Sequence, residues 1–466
     1  MSTELDGIRA LLEPDQYSST DSDRRERSQD WGTREDDAVY PDLVVWPEST
    51  EDVATVLSAA NERGIPVTPF AAGTSLEGNP VPVQGGISLD LTRMDDVHEI
   101  RPDALQIDVG PGIYGSEIND ALESYGLVLP SLPSSGKIST IGGMIANDAA
   151  GMQTVKYGEV ADWLLEVEAV LPTGEVITAG SKAVKTSSGY NLLDLLVGSE
   201  GTLAVITRLT LAVTGRPEQV WAGRATFADL DDATAAVSDA VRSGVDVAKI
   251  ELIDPLSAEM ANESLGTDLP DAPMVFLEFH ADHHVEAEVE FCRTIFADHE
   301  VGAFEVAERD DRMASLWQAR RELATAVRSY DPTLAPLKPG DVTVPIDAFP
   351  EMIRYIKELG NEHDLLIPCF GHAGDGNVHY SVLVDLEDPE MVATGEEVSD
   401  RIVERAIELD GTATGEHGIG LGKTDYLATE HDEASIATMR AVKESFDPNG
   451  ILNPGKMFPT ESPSQE

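Results

Sequence analysis

The chain has 466 residues, of which 41% are hydrophobic, and its 32 basic and 85 acidic residues give a net charge of −53. This length exceeds what one hydrophobic core supports and predicts two or three packed units. The charge argues against nucleic acid and anionic lipid as binding partners, because both would repel the chain. Acidic residues are spread from Glu4 to Glu466. This spread favours a halophilic protein screened by salt over one acidic docking face for a basic partner.

Cysteine content and hydropathy indicate where the protein works. Cys292 and Cys369 are the only cysteines and form no C-x-x-C pair, which argues against a disulfide framework, an iron–sulfur cluster or c-type haem. The N-terminal region is charged and polar, and Arg24-Arg25 is followed by polar residues, so no secretory signal is predicted. The sequence has no run of about 18 apolar residues, so no transmembrane segment is predicted. We expect a cytoplasmic protein, either soluble or peripheral at the inner face of the membrane.

The first half of the chain predicts a polar arm followed by a cofactor domain. Residues 1–37 are polar and weakly periodic, and we expect a partly ordered arm there. Within residues 38–215, Leu43–Trp46 and Ile65–Thr68 are predicted strands that flank a helix starting near Ser49 and Thr50. This β-α-β unit ends in a glycine-bearing loop, and short strands punctuated by glycine continue after it.

The second half contains a loose internal repeat and is predicted to form a cap, residues 216–430. Strand, helix and strand patterns recur twice, at 222–253 and at 274–306, which favours a ferredoxin-like sheet. A helix from about Arg312 to Arg328 follows, with a pair of strands around Gly371–His379. An exposed sheet edge on this cap would support a homodimer. Residues 431–466 form a turn-rich segment that returns to the cofactor domain.

Four glycine-rich segments in the first half are candidates for binding a cofactor. Pro69–Gly78 follows a strand, where successive N–H groups can form a nest for a pyrophosphate without help from a basic side chain. This segment is neither a P-loop nor G-x-G-x-x-G, and taken alone such a loop is more often a plain turn. The other three segments combine glycine with small polar residues, as a backbone close to a ligand requires. They are Ser139–Asn147, Tyr157-Gly158 and Gly189–Leu203.

Two histidine motifs in the second half predict a metal site. In Gly371–His379 two histidines flank a turn of Gly, Asp and Asn, which lets both imidazoles converge. Gly415–Gly420 adds a carboxylate and a third imidazole on a glycine-flanked backbone. Two histidines and one glutamate form an open catalytic metal set. The alternative is that these histidines are hydrogen-bonded structural residues.

Together these segments resemble the FAD-binding oxidases of the vanillyl-alcohol-oxidase (PCMH-type) superfamily. The similar branch contains D-lactate dehydrogenases, the glycolate oxidase flavin subunit and D-2-hydroxyglutarate dehydrogenase, and the match runs from about Asp37 to Met457. The resemblance implies an α+β fold, with a PCMH-type FAD-binding domain of two α/β subdomains and a ferredoxin-like cap. It also implies FAD contacts at Gly73, Thr74, Ser75, Leu76, Thr140, Gly142, Gly143, Asn147, Glu200, Gly201, Ile206 and Asn453.

The same resemblance implies the residues of the chemistry. His372, His379 and Glu416 would bind a divalent metal, with zinc favoured, and His417 would be the general base. An alcohol gives hydride readily as its alkoxide, so a metal that lowers the hydroxyl pKa and a base that takes the proton suit oxidation of a 2-hydroxy acid to a 2-oxo acid. Arg320 is the expected clamp for the substrate carboxylate, since arginine pairs in bidentate fashion.

Substrate size is predicted from positions near this site. The resemblance also points to Lys338 as a second cation, with a solvated side chain as the alternative. Ser381 and Ala324 stand where D-2-hydroxyglutarate dehydrogenases carry Asn and Thr. A second carboxylate would lose two donors, which favours a small monocarboxylate such as D-lactate or glycolate.

Two other functions are compatible with the same motifs. The alkyl-glycerone-phosphate synthases share the architecture and use FAD without net redox change. A flavin-binding regulatory subunit with a dead site is disfavoured, because the four metal-site and base residues are all present. Because the chain has no ligand pattern for a cluster or haem, its electrons would leave to a quinone, a cytochrome, a separate iron–sulfur protein or oxygen.

Overall fold

The computed structural model describes residues 2–308 and 317–459, which fall into two compact units. The first unit contains residues 2–150, 159–216 and 416–459, and the second contains residues 151–158, 217–308 and 317–415. Residues 416–430, which the sequence analysis assigned to the cap, thus group with the first unit. Residues 460–466 of the predicted C-terminal segment lie outside the described part.

A small sheet opens the first unit and is ordered β1-β2-β4-β3. Its strands are β1 Tyr17–Ser18, β2 Leu43–Val45, β3 Val67–Phe70 and β4 Ile87–Asp90. Both β2 and β3 run parallel to β4, and the helix Thr50–Arg63 connects β2 to β3. Ser49 caps this helix by accepting the N–H of Asp52, and Gly64 ends it in the left-handed conformation. The predicted β-α-β unit is confirmed.

The N-terminal residues form part of this unit and are more ordered than the predicted arm. They contain the helices Ser2–Arg9 and Asp21–Glu26, and β1 pairs antiparallel with β2. Leu5 and Ile8 lie three residues apart, on one face of the first helix, and both are buried in the core beneath the Thr50–Arg63 helix. The sequence analysis missed this short apolar face because the surrounding residues are mostly polar.

A five-stranded antiparallel sheet forms the other part of the first unit, in the order β5-β6-β10-β8-β9, and β7 pairs separately with β11. The strands are β5 Val97–Arg101, β6 Gln106–Val109, β7 Leu127–Val128, β8 Leu164–Val170, β9 Val176–Gly180, β10 Val205–Ala212 and β11 Thr214–Gly215. The helices of this region are Gly115–Leu122, Ile141–Asn147, Leu192–Leu196, Leu427–Glu430 and Glu433–Phe446. All of these helices except Leu427–Glu430 pack apolar residues into one core with the sheet.

The second unit is built on a seven-stranded antiparallel sheet, in the order β15-β12-β14-β13-β17-β18-β16. Its strands are β12 Gln219–Phe227, β13 Lys249–Ile253, β14 Met274–Ala281, β15 Val301–Glu308, β16 Ala335–Thr343, β17 Cys369–Gly371 and β18 Asn377–Val384. The first four strands have the interleaved order of a ferredoxin-like sheet, as predicted. The last three extend that sheet and carry the histidine turn.

Helices flank this sheet and complete an α+β fold. They are Thr154–Tyr157, Leu230–Arg242, Pro255–Leu265, Val285–Phe296, Leu323–Ser329, Phe349–His363 and Pro389–Glu408. Residues 317–321 are also helical, whereas the predicted start of that helix near Arg312 lies outside the described residues. Among the described residues, no helix has the length and hydrophobicity that crossing a membrane requires.

Candidate active site

Two of the predicted cofactor segments meet in the first unit. The hydroxyl oxygens of Thr74 and Ser139 lie 2.9 Å apart, which joins the loop after β3 to the start of the Ile141–Asn147 helix. Thr140 caps that helix, and its hydroxyl accepts the N–H of Gly143. Segments separated by about 65 residues in the sequence therefore form one surface.

A cavity of about 370 Å³ opens on this surface. It is lined by Trp31, Ala72, Gly73, Thr74, Tyr114, Lys137 and Ile138. Gly73 has a φ of +65°, which glycine adopts without strain, so its backbone can face a ligand. A glycine loop, a hydroxyl and the Lys137 cation suit a pyrophosphate, and the aromatic rings suit a flat apolar group. These residues fit FAD, and Lys137 adds a cation that the predicted nest of N–H groups does not require.

Glu200, a predicted FAD contact, has its carboxylate bound by donors of the chain itself. The side chain is buried, and its oxygens accept the N–H groups of Ile419 (2.7 Å) and Gly420 (2.9 Å) and the amide of Asn79 (2.6 Å). Burial raises the pKa of Glu200, although these donors oppose the rise. The residue itself has a φ of +51°, which a glutamate rarely adopts. Glu200 holds the loop that begins at His417.

Two more predicted cofactor residues support this arrangement, Asn147 by a direct bond to the loop and Asn453 by bonds to Glu200 and Asn79. Asn147 donates from its side chain to the carbonyl of His417 (2.9 Å). Asn453 donates to the carbonyls of Glu200 (2.7 Å) and Asn79 (3.0 Å). The His417 loop, residues 417–422, is thus held directly by the buried Glu200 and the half-buried Asn147, while Asn453 acts on it only through Glu200.

The remaining predicted cofactor residues are distributed around these contacts. Ser75 donates to Asp30 (2.9 Å), and the carbonyl of Leu76 packs tightly against Gly32. Gly142 lies against Pro111, and Gly201 lies against Pro69. The Ile206 side chain belongs to the hydrophobic core of the five-stranded sheet.

His417 lies next to a carboxylate that the sequence analysis did not select. Its Nδ1 is 3.7 Å from Oε1 of Glu77, which is buried in the glycine loop after β3. The backbone carbonyl of Glu77 also accepts the N–H of Leu421 (2.7 Å). Glu77 therefore faces the imidazole and holds the loop behind it.

In the second unit, the two histidines of the turn converge as predicted. The Nε2 atoms of His372 and His379 lie 3.4 Å apart, with their rings nearly perpendicular. His372 follows β17 directly, and His379 lies on β18, which pairs with β17. Two nitrogen atoms facing each other in a largely buried setting are a suitable half of a metal site.

Glu251 and Arg320 lie beside His372. The Nδ1–H of His372 donates to the Glu251 carboxylate (2.7 Å), and the other Glu251 oxygen forms an ion pair with Arg320. Although burial raises the pKa of Glu251, Arg320 and His372 outweigh it and keep this pKa below its ordinary value. Arg320 is only 4% exposed, and its Nε donates to no acceptor among the described residues. A buried guanidinium with a spare donor suits an anionic ligand.

Asp341 on β16 occupies the equivalent position beside His379. Its Oδ1 lies 3.8 Å from His379 Nδ1, and its carboxylate accepts the side-chain amide of Asn377 (2.7 Å) and the N–H of Gly415 (2.8 Å). At Gly415 a side chain would meet the Asn377 amide at 2.1 Å, so only glycine fits. The next residue in the chain is Glu416, which belongs to the first unit together with His417.

The other two predicted substrate residues lie where β16 pairs with β18. Ser381 is two residues beyond His379 on β18 and faces Pro339 in the ladder. Lys338 precedes Pro339, at a register shift of β16, and its side chain is exposed. Glu251 and Asp341 were not predicted, but each is an acidic residue inside an otherwise buried strand segment. That pattern is a signal that sequence reasoning could have used.

The fold and the loop chemistry define a flavoprotein of the PCMH-type architecture, and the comparisons agree. Residues 41–180 match the FAD binding domain family, and residues 216–457 match the C-terminal domain of FAD linked oxidases. The chain belongs to the FAD-linked oxidase family.

Individual relatives and a solved structure resemble the chain over most of its length. It is 34% identical to the mitochondrial D-lactate dehydrogenase [cytochrome] of Arabidopsis thaliana, over 90% of this chain and 74% of that protein. It is also 34% identical to the glycolate oxidase subunit GlcD of Bacillus subtilis, over 90% of this chain and 89% of that protein. The crystal structure of p-cresol methylhydroxylase with substrate bound has a TM-score of 0.81 at 16% identity, over 99% of this chain and 98% of that chain. This last likeness shows the fold alone.

Proposed function

We propose that this protein is an FAD-dependent dehydrogenase that oxidises a small D-2-hydroxy acid, with D-lactate favoured, to the 2-oxo acid. The observation that carries the proposal is the convergence of His372 and His379 near Arg320. The Glu251 carboxylate contacts both His372 and Arg320 and so places the guanidinium beside the imidazoles. Imidazoles that can hold a cation and a buried guanidinium suit a substrate with adjacent hydroxyl and carboxylate groups. Relatives named D-lactate dehydrogenase and glycolate oxidase support the same substrate class.

We further propose that His372, His379 and Glu416 hold a divalent metal, with zinc favoured. Such a cation, when bound, lowers the pKa of a coordinated hydroxyl. Support comes from the facing Nε2 atoms of the histidines and from the carboxylate beside each imidazole, since carboxylate–histidine pairs orient metal ligands. The Gly415 N–H bond to Asp341 fixes the backbone immediately before Glu416.

His417 is the proposed general base, which takes the hydroxyl proton at Nε2. Its Nδ1 faces Glu77, so this carboxylate can stabilise the imidazolium that results. FAD, when bound, accepts hydride from C2 of the substrate. The loop residues Gly73, Thr74 and Thr140 are proposed to bind it, with Lys137 beside its pyrophosphate.

Arg320 is the proposed clamp for the substrate carboxylate, using the Nε–H that has no protein acceptor among the described residues. Lys338 and Ser381 would border the substrate at the β16–β18 pairing. We propose that electrons leave to a separate quinone, cytochrome or iron–sulfur protein.

The test is anaerobic flavin reduction, followed by absorbance, in molar salt with D-lactate, L-lactate, glycolate, D-2-hydroxyglutarate and glycerate. We expect D-lactate to reduce the flavin fastest and a chelator to suppress the reaction. Faster reduction by glycolate or D-2-hydroxyglutarate would replace the substrate assignment. No reduction by any hydroxy acid would overturn the function and leave a non-redox flavoenzyme, such as an alkyl-glycerone-phosphate-synthase-like protein, as the alternative.

A further inference from the structure

Glu251 is a charged residue in the middle of the buried strand β13. Its side chain is 0% exposed, and every residue of β13 is buried. An ionised carboxylate costs several kcal/mol to bury unless partners compensate it. Both of its oxygens have a cationic or N–H partner, and each partner is a residue of the candidate site.

Sheet register places Glu251 opposite His372. Leu252 pairs with Gly371 in the antiparallel β13–β17 ladder. Because the strands run in opposite directions, the next pair in this register is Glu251 and His372. Because the carboxylate accepts at 2.7 Å, His372 carries its proton on Nδ1 and keeps the lone pair on Nε2. Nε2 is the atom that lies 3.4 Å from His379.

The second Glu251 oxygen fixes Arg320 from another element. Arg320 lies on the helical segment 317–321, and its guanidinium stacks over the Phe370 ring at 4.9 Å. The ring and the carboxylate constrain the guanidinium on two sides, which leaves Nε–H as a fixed donor.

We propose that Glu251 is the positioning residue that sets both the tautomer of His372 and the orientation of Arg320. This inference rests on the proposed function, because it assigns Glu251 to the site that would hold the metal and the substrate carboxylate. Glu251 acts through its two partners and touches neither substrate nor FAD. One buried carboxylate thereby couples metal affinity to substrate orientation.

The same sheet offers a matched control in Glu278 on β14. Glu278 is also 0% exposed, and its carboxylate likewise lies between a cation, Lys249 at 2.6 Å, and an imidazole, His280 at 3.0 Å. Glu278→Gln therefore removes an equivalent buried charge from a cluster that contains none of the proposed metal ligands. It separates a general cost of losing a buried carboxylate from an effect on the site.

The first measurement is the Zn²⁺ dissociation constant of the full-length, FAD-containing protein, by competition with a chromophoric chelator. Losing a carboxylate that orients a metal-binding histidine typically weakens binding 10- to 100-fold, and we expect about this change for Glu251→Gln. Glu278→Gln should bind Zn²⁺ within about twofold of wild type. Glu251→Asp, which keeps the charge but shortens the reach, replaces Glu251→Gln if that variant does not fold.

The second measurement needs no metal. The chain has ten histidines, so ¹⁵N-histidine labelling gives a spectrum in which His372→Ala identifies the His372 signals. We expect the Nδ1–H tautomer in wild type and in Glu278→Gln, and loss of that preference in Glu251→Gln.

The outcomes separate this proposal from the proposed function. If wild type binds no divalent metal but the His372 tautomer depends on Glu251, the metal site is wrong and the positioning role stands. If Glu251→Gln keeps the wild-type tautomer, or keeps wild-type affinity in a protein that does bind Zn²⁺, the positioning role is wrong.

Discussion

The His417 loop of the first unit and the histidine turn of the second both present imidazoles, but different parts of the protein fix their positions. In the loop, side chains bind the backbone: the buried Glu200 accepts the N–H groups of Ile419 and Gly420, and the half-buried Asn147 donates to the His417 carbonyl. In the turn, backbone pairing of β13, β17, β18 and β16 places the side chains, so that Glu251 faces His372 and Asp341 lies near His379.

This difference indicates where each region should be sensitive to substitution. A loop held by side chains should lose its geometry when one acceptor is removed, while its sheet-built surroundings remain. A turn held by a sheet should keep its backbone and lose only the tuning of its imidazoles. The predictions below test that contrast.

The largest effect is expected for His417→Ala. Removing the proposed base should slow flavin reduction by D-lactate about 10²- to 10⁴-fold. FAD should remain bound, because the loop is held through its backbone and not through this imidazole. Stopped-flow reduction rates and the FAD-to-protein ratio check both points. The control is His431→Ala, which removes a partly exposed histidine of the same unit. A near wild-type rate would remove His417 from the base role.

Glu200→Gln should disturb the loop without changing any group that reacts. Glutamine keeps one acceptor oxygen and replaces the other with an NH₂ group. In one orientation this group faces the donors of Asn79 and Gly420, and in the other it faces the N–H of Ile419. We expect a fall of about 10- to 100-fold in the flavin reduction rate, from 1.5 to 3 kcal/mol per lost charged hydrogen bond, with FAD retained. The control is Glu168→Gln, whose carboxylate accepts from Thr50 in the same unit. Loss of FAD with an unchanged rate per bound flavin would instead make Glu200 a cofactor residue.

Asp341→Asn tests the turn. The variant keeps an oxygen for one of the donors from Asn377 and Gly415 but removes the charge near His379. We expect Zn²⁺ affinity to fall by about tenfold, the lower end for such carboxylates, because the 3.8 Å separation makes this pair looser than Glu251 and His372. Asp254→Asn removes another fully buried carboxylate of the second unit, one bound to Lys357, and should leave Zn²⁺ affinity unchanged. Equal losses in both variants would contradict a specific role for Asp341.

The sequence predicted the fold and the convergence of the histidines because both depend on local patterns. The β-α-β unit follows from apolar spacing and the Ser49 cap, and the turn follows from Gly, Asp and Asn between two strands. Glu251 and Asp341 could not be assigned to the histidines, because their roles depend on which strands become neighbours in the sheet. The FAD contact at Glu200 stays a prediction, and the bonds of its carboxylate to Asn79, Ile419 and Gly420 were missed because they join segments far apart in the sequence.

The last prediction concerns stability and leaves the reacting groups unchanged, because it involves Lys456, a buried cation beside the Glu200 cluster. Lys456 donates to Asn453 (3.2 Å) and to the carbonyl of Val81, and burial lowers its pKa to about 8 although Glu200 and Asp30 oppose the shift. Between about pH 8 and pH 10.4 the unfolded chain keeps a proton that the folded protein has released, so the free energy of unfolding should rise with pH. The rise is at most about 3 kcal/mol, and Lys456→Met should lack it. Chemical denaturation of both proteins across pH 7 to 10.5 measures the difference, in which the titration of other groups cancels. If the free energies of unfolding of both proteins changed with pH in parallel, Lys456 would have an ordinary pKa.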